Sequence, residues 1–168
     1  MLSLLNYVVM SSMVGKGKLI PIKVKAVVPS MYGYAVFLIS KEKSFVIYVE
    51  PVLGEALTSA LQKKTHERPL THELVQNILL GLEVKVEYVV INEVNNYAFL
   101  ARLFLKMKNE LGTKIVEIDA RPSDSMVMAV QGESPIFATQ QVMDNVQDMS
   151  EALERVLKKE QNEEEHDF

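Results

Sequence analysis

The stretch LIPIKVKAVVPSMYGYAVFLISKEKSFVIYV (residues 19–49) predicts how the fold begins. Apolar residues alternate with lysines at its start, as in a strand with one buried face. Turn signals around Gly33 and at residues 41–43 divide the rest into two short apolar runs. Three strands joined by short turns predict an antiparallel meander. The first-strand positions predicted to face the core are Ile20, Ile22, Val24, Ala26 and Val28.

The apolar pattern changes from strand-like to helical after Pro51. Helices are predicted at residues 52–64, 71–82 and 122–130, and the remainder is predicted to be helical to about residue 159. Further strands are predicted at residues 84–91, 97–107, 113–119 and 135–138, with a hairpin turn at Asn95 and Asn96. This order predicts an α+β fold, with mixed, mainly antiparallel sheets and helices packed against them in a single domain. The second helix is predicted to bury Leu74, Val75, Ile78 and Leu79.

Composition excludes several classes of protein. The chain has 168 residues, of which 48% are apolar, and this fits one domain with a packed core. It has no run of 18 or more apolar residues, so we expect no membrane span. The apolar opening at residues 1–10 lacks the basic region and the cleavage site of a signal peptide. Cysteine is absent, which excludes disulfides, zinc–thiolate sites and cysteine nucleophiles. We expect a cytoplasmic protein.

The net charge of −4 is concentrated in the tail. Residues 151–168 carry seven acidic and three basic side chains, so the rest of the chain is neutral. Net negative charge disfavours non-specific nucleic-acid binding, but a neutral body can still hold a local basic groove. We divide the chain into a leader at residues 1–18, a folded domain at 19–147, and a C-terminal helix with an acidic tail at 148–168.

Two polar signatures interrupt the hydrophobic body. ERPLTHEL (residues 67–74) and IDARPSDS (residues 118–125) each place an arginine directly before a proline, with carboxylates close by. Each lies at the predicted start of a helix, where backbone N–H groups are free to bind an anion. We therefore expect the two signatures to meet in one concave site that binds a phosphate or a metal-bound phosphate.

The second signature offers possible metal and phosphate ligands. Asp119 ends a predicted strand and Asp124 begins a predicted helix, so the two carboxylates could share a divalent cation. Arg121 could bind phosphate through its bidentate fork. The structural alternative is that Ser123 or Asp124 caps the helix, while Arg121 pairs with a neighbouring acid.

The first signature offers a histidine close to a carboxylate. His72 beside Glu73 could serve as a general base or a metal ligand, although the spacing is not that of an HExxH zinc site. The structural alternative makes Thr71 and Glu73 capping residues and His66 a solvated loop residue. Glu55 is predicted near the first turn of its own helix, where a negative charge favours the helix dipole.

The order of these motifs resembles the bifunctional nuclease domain family. The matching stretches are LGEALTSAL, RPLTHELVQNILLGL, IDARPSDSMVMAV and PIFATQQVM, over about residues 24–144. The resemblance implies a nuclease, because plant members are described as acting on both RNA and DNA. Glu73 stands where the family usually has aspartate, and no excision-repair interaction motif follows at the C-terminus. By position, the resemblance implies that the functional polar residues are Glu55, Arg68, Thr71, His72, Glu73, Asp119, Arg121, Ser123 and Asp124.

Residues and resemblance together predict phosphodiester hydrolysis of RNA or DNA with a divalent metal, Mg²⁺ or Mn²⁺, and no organic cofactor. The alternative is a non-catalytic binding module that holds a small anionic ligand or a protein partner at the Arg and Asp helix starts. The residues expected to be catalytic are His72, Glu73, Asp119 and Asp124. Those expected to bind substrate are Arg68, Thr71, Arg121 and Ser123. Those expected to hold the metal are Asp119, Asp124 and Glu55.

We also expect a homo-oligomer, with a dimer favoured. The strands predicted at residues 34–39 and 97–107 are apolar on both faces, and the opening at residues 1–10 has no evident partner within the chain. Exposed apolar surface of this kind usually marks a contact, and two-fold pairing is its commonest closed form.

Overall fold

The computed structural model describes residues 17–95, 98–110 and 112–166. In this part of the chain, seven strands form one mixed sheet with five helices packed against it, and the predicted single α+β domain is confirmed. The strands are β1 (Leu19–Ser30), β2 (Gly33–Ile39), β3 (Ser44–Val49), β4 (Val84–Asn95), β5 (Ala98–Asn109), β6 (Gly112–Ala120) and β7 (Ile136–Thr139). The helices are α1 (Pro51–Leu61), α2 (Thr71–Gly81), α3 (Pro122–Gln131), α4 (Gln140–Asn145) and α5 (Ser150–His166).

The sheet consists of two antiparallel meanders joined by a short strand. Its order is β3-β2-β1-β7-β4-β5-β6, and the predicted meander at the start of the chain is confirmed. The short strand β7 runs antiparallel to β1 and parallel to β4. Because β7 is buried on both sides, it connects the two halves through one continuous core.

A bulge in β1 divides the strand between the two faces of the sheet. The register shifts between Val24 and Ala26, so the side-chain alternation is reset there. Ile22 packs into the main core, whereas Ala26 packs on the other face against Phe37 and Leu153. The prediction that all five apolar positions of this strand share one face was therefore wrong.

The main core lies between the sheet and helices α1, α3 and α4. Helix α3 is its centre, because its residues Met126, Val127 and Ala129 are completely buried. Helix α1 approaches the sheet closely at Gly54, where a Cβ atom would overlap the ring of Tyr34. The starts of α1 and α3 are thus held by packing that tolerates little displacement.

Helix α2 is placed differently from its prediction. It has no fully buried residue, and Leu74, Val75 and Ile78 are exposed, so their predicted burial was wrong. The helix rests on α3 and β4 through one narrow side, where Gln76 donates to the Met128 carbonyl at 2.8 Å. The apolar side of this amphipathic helix is therefore left uncovered by the described part of the chain.

The C-terminal region, predicted to be helical to about residue 159, consists of two helices separated by a short extended segment. The chain leaves α4 in an extended conformation at Val146, and the Met149 N–H donates to the Ser44 carbonyl at 2.9 Å. Asp148 then accepts from the Ser150 N–H at 2.9 Å at the start of α5. Helix α5 continues to His166, beyond the predicted end, and covers the first meander through Leu153.

Two predictions lie partly or wholly outside the described residues. These are the leader at residues 1–18, of which only 17 and 18 are described, and the hairpin turn, of which only Asn95 is described, as the last residue of β4. Within the described ranges, no helix is both long enough and apolar enough to cross a membrane.

The second face of the sheet carries a small aromatic cluster around Tyr88, whose ring stacks on Phe104 at 4.3 Å between centroids. The Tyr88 hydroxyl is buried without a hydrogen-bond partner in the described chain. We expect Tyr88→Phe to raise the free energy of unfolding by about 1 kcal/mol, because an unsatisfied polar group leaves the core. Urea unfolding measures it, with exposed Tyr32→Phe as control.

The pH dependence of unfolding gives an independent check. Burial first, and then the charges of Glu117 and Glu87, raise the pKa of Tyr88 to about 12. The wild type should lose stability as pH rises from 10 towards 12, because the unfolded chain releases this proton first. Tyr88→Phe should lose less over this interval. An equal loss, or a variant less stable than wild type at pH 8, would contradict the placement of this hydroxyl.

Candidate functional site

Two helices of the main core begin alike and meet at their starts. Each opens with a proline after a charged N-cap residue, Glu50 before Pro51 and Arg121 before Pro122, and neither side chain caps its own helix. Instead, Arg121 Nη1 lies 3.9 Å from Glu50 Oε2. The sequence analysis missed Glu50, although its position before a helix-starting proline mirrors that of Arg121.

The start of α2 contacts the start of α3 through His72. His72 Nε2 lies 2.9 Å from Asp124 Oδ1, and Arg121 Nε donates to Asp124 Oδ2 at 2.8 Å. The prediction that the two polar signatures meet in space is therefore confirmed. Since each carboxylate oxygen takes one partner, Asp124 links the starts of α2 and α3.

Asp124 does not cap its helix. The N-cap of α3 is Arg121, and Asp124 is the third helical residue, so the capping alternative for Ser123 and Asp124 was wrong. The other half of that alternative, the pairing of Arg121 with a neighbouring acid, is confirmed. The Asp124 side chain is thus available for the long-range contact with His72.

The contact with Asp124 determines the tautomer of His72. An ionised carboxylate can only accept hydrogen bonds, so in the neutral imidazole the proton lies on Nε2 and the lone pair on Nδ1. Burial raises the pKa of Asp124, but hydrogen bonds from Arg121 and His72 outweigh it and hold the pKa below its ordinary value. Asp124 therefore remains ionised in neutral solution and keeps His72 in one orientation.

Glu73 belongs to a separate network at the start of α2. Its Oε2 accepts from the Leu70 N–H at 2.7 Å, and its Oε1 lies 2.8 Å from His66 Nδ1. The hydrogen bonds from Leu70, and then from His66, lower the pKa of Glu73. The predicted capping role of Glu73 is confirmed, whereas Thr71 is the first helical residue and not the cap.

His66 connects this network to α1. Its Nε2 lies 3.3 Å from the Ser59 hydroxyl, and its side chain is only 22% exposed. The expectation of a solvated loop histidine was therefore wrong. His66 and Glu73 thus connect the start of α2 to α1.

Asp119 lies on the outer strand β6 and belongs to a different ion pair from Asp124. It faces Arg102 across the β5–β6 pair, with Arg102 Nη1 3.0 Å from Asp119 Oδ1. The sequence analysis missed Arg102, because no local pattern shows which residue faces Asp119 across the sheet. Glu55 is the fifth residue of α1, just after the first turn, and is exposed.

The proposed metal ligands do not come together as a set. Within the described ranges, no group of three or more histidines, aspartates or glutamates is placed to hold a metal ion. Both oxygens of Asp124 are engaged by His72 and Arg121, and Asp119 is engaged by Arg102. The side chains as placed therefore do not fit a metal centre with three protein ligands.

The predicted substrate-binding residues differ in their exposure to solvent. Arg68 and Thr71 are exposed before and at the start of α2, and Ser123 is half-buried at the start of α3. Arg121 keeps 62% of its side chain exposed despite its contact with Asp124. An exposed guanidinium, that of Arg121, therefore lies directly beside the His72–Asp124 pair.

The stability of the site should depend on the charge of Asp124. Because its pKa is lowered by folding, its contribution is present above its ordinary pKa and is lost as pH falls through the lowered value. We expect Asp124→Asn to lose about 1 kcal/mol of unfolding free energy at pH 6, and much less at pH 3. Urea titrations of both proteins across this range measure it, and a pH-independent difference would contradict the ionised pair.

Comparison with known proteins agrees with this arrangement of motifs. Two relatives, both uncharacterized proteins of Mycobacterium tuberculosis from strains CDC 1551 / Oshkosh and H37Rv, are 30% identical to this chain over 92 residues. The aligned part is 54% of this chain and 52% of each relative, so the chain spans about half the length of the curated relatives it matches. The family model described as the bifunctional nuclease domain matches residues 36–151, which include every element from β3 to α4. The chain belongs to the bifunctional nuclease domain family.

Proposed function

We propose that the protein is a nuclease that hydrolyses phosphodiester bonds of RNA or DNA at the His72–Asp124 pair beside Arg121. The observation that carries the proposal is the 2.9 Å contact of His72 Nε2 with Asp124 Oδ1, next to an exposed guanidinium. The family name suggests a nuclease-like function. A base, its orienting carboxylate and a phosphate-binding cation are the groups that such hydrolysis requires.

His72 would act as the general base. With the proton held on Nε2 by Asp124, the Nδ1 lone pair can accept a proton from the attacking water. Asp124 would then stabilise the imidazolium that forms, as a buried carboxylate does for other catalytic histidines. The 14% exposure of the His72 side chain limits competing contacts with bulk water.

Arg121 would hold the phosphate. Its Nε is committed to Asp124, but its Nη groups face outward near Glu50, where the contact is a weak 3.9 Å. The uncapped start of α3 adds backbone N–H groups and the positive end of the helix dipole. Negative charge that develops on the phosphate in the transition state is therefore opposed by two sources of positive potential.

We assign no step to a metal ion, since the carboxylates do not form a ready site for one. The expected requirement for Mg²⁺ or Mn²⁺ is measured directly by adding each ion, or EDTA, to the assay. Glu73 is assigned a positioning role, because both of its oxygens are used at Leu70 and His66.

The decisive experiment compares two histidines in a cleavage assay on single-stranded RNA and DNA. We expect His72→Ala to lower kcat/KM by about 10² to 10⁴, the usual loss for a general base. His66→Ala is the matched control, because it removes a histidine of the neighbouring network that does not contact Asp124. It should lower the melting temperature, and it should lower kcat/KM far less than His72→Ala does.

Three outcomes separate the hypotheses. Equal activity of His72→Ala and wild type, with cleavage present, would refute the catalytic assignment. Binding of nucleic acid without cleavage under any metal condition would favour the non-catalytic binding module. Cleavage that persists in both variants but is lost in EDTA would place the chemistry on other residues.

We further propose that the protein forms a homodimer through the uncovered face of α2. Leu70, Leu74, Ile78 and Leu82 recur every four residues and are 45%, 50%, 53% and 63% exposed. Such spacing forms one apolar stripe along the helix, and contiguous exposed apolar surface of this kind usually marks a contact. Identical stripes can pair about a two-fold axis. The apolar strands predicted at residues 34–39 and 97–107 do not support this dimer, because Val36, Leu38 and Phe104 are buried within the chain.

Light scattering at micromolar concentration tests this assembly. The wild type should give a mass near twice the 19.0 kDa of one chain, and Leu74→Lys with Ile78→Lys should give a mass near 19.0 kDa. Met31→Lys, at an exposed apolar position in the β1–β2 turn, is the control and should leave the mass unchanged. A wild type that stays at 19.0 kDa on concentration would contradict the dimer.

A further inference from the structure

A groove of about 710 Å³ adjoins the site and includes Arg121 in its wall. It is bounded by strand β3, by the adjoining ends of β4 and β5, by the start of α3 and by the segment between α4 and α5. A volume of this size is typical of sites for small organic groups. Arg121 therefore has the His72–Asp124 pair on one side and an open groove on the other.

One wall of the groove is a free strand edge. Strand β3 is the last strand of the sheet and pairs only with β2 in the described chain. The Ser44 N–H donates to Ser150 Oγ at 3.2 Å, and the Ser44 carbonyl accepts from the Met149 N–H at 2.9 Å. Both backbone groups of Ser44 therefore point away from β2. Because backbone groups alternate along a strand, Val46 and Tyr48 direct theirs to the same side, into the groove.

The groove also has aromatic walls. Phe99 stacks on buried Phe45, with 6.1 Å between ring centroids and an interplanar angle of 23°. Tyr48 lines the groove and is 71% exposed, which is unusual for an aromatic residue of a regular strand. Flat apolar walls beside unpaired backbone donors and acceptors suit a nucleobase, which offers both a π-face and a hydrogen-bonding edge.

The charge of the groove indicates which ligand it accepts. Arg121 is the one charged residue among those of the described chain that line it. An extended peptide without an acidic group can pair with the free edge of β3, but it leaves the arginine at the uncapped helix start without an anion. An anionic ligand with a flat apolar part satisfies the edge, the rings and the guanidinium together.

Resting on the proposed function, we infer that this groove binds an unpaired nucleotide of a single-stranded nucleic acid. The base lies against Tyr48 and Phe99, and its phosphate lies on Arg121, beside His72. In a duplex, the hydrogen-bonding edge of a base is paired and its two ring faces are stacked on neighbouring bases. The groove therefore selects single strands over duplexes.

The test is a binding titration followed by fluorescence anisotropy, with a labelled single strand on the order of ten nucleotides long and the matching duplex. We expect Tyr48→Leu, which keeps an apolar side chain but removes the ring, to weaken single-strand binding by about fivefold or more. Tyr48→Phe should retain binding. Tyr32→Leu, which removes an 87% exposed tyrosine outside the groove, should also bind as the wild type does.

The outcomes distinguish this inference from the proposed function. Equal affinities of Tyr48→Leu and Tyr32→Leu, or a parallel loss for the duplex, would overturn the groove assignment even if the wild type cleaves. A selective loss in Tyr48→Leu supports it even if no protein cleaves, in which case only the catalytic proposal fails. A wild type that binds neither the single strand nor the duplex would overturn both.

Discussion

The site depends on one carboxylate that accepts a hydrogen bond on each oxygen. Asp124 holds His72 from α2 and Arg121 from the start of its own helix, and Arg121 extends the contact to Glu50 before α1. Three helix starts are thereby kept within reach of one another. The contact is possible because α3 is buried on all sides, so that Asp124 projects from a helix that packing holds in place.

The sequence predicted much of this arrangement because its signals are local. Proline directly before or within a first turn marks where a helix begins, and both Pro51 and Pro122 do so here. The meeting of His72 with Asp124 was also predictable, since both lie at helix starts that flank the same sheet. These features depend on a few neighbouring residues, which a single sequence shows directly.

The features that were missed depend on pairings distant in sequence. Arg102 holds Asp119 only because the β5–β6 register places them opposite each other. The bulge after Val24 moves the side chains in the rest of β1 to the opposite face of the sheet. A single inserted residue cannot be recognised from the apolar pattern of the sequence. An amphipathic helix such as α2 shows the same pattern whether its apolar side meets its own core or another molecule.

The two acidic partners of Arg121 differ in their burial and in their distance from the guanidinium. Asp124 is two-thirds shielded and accepts two hydrogen bonds, so its loss would leave Arg121 and His72 without the group that orients them. Glu50 is 74% exposed and stands 3.9 Å away, so this pair contributes little and is easily exchanged. Under the proposed function, a phosphate at Arg121 would therefore replace Glu50 at low cost while Asp124 stays in place. The same guanidinium can thus remain oriented by one carboxylate and accept an anion in place of the other, which is what a site that binds and releases phosphate requires.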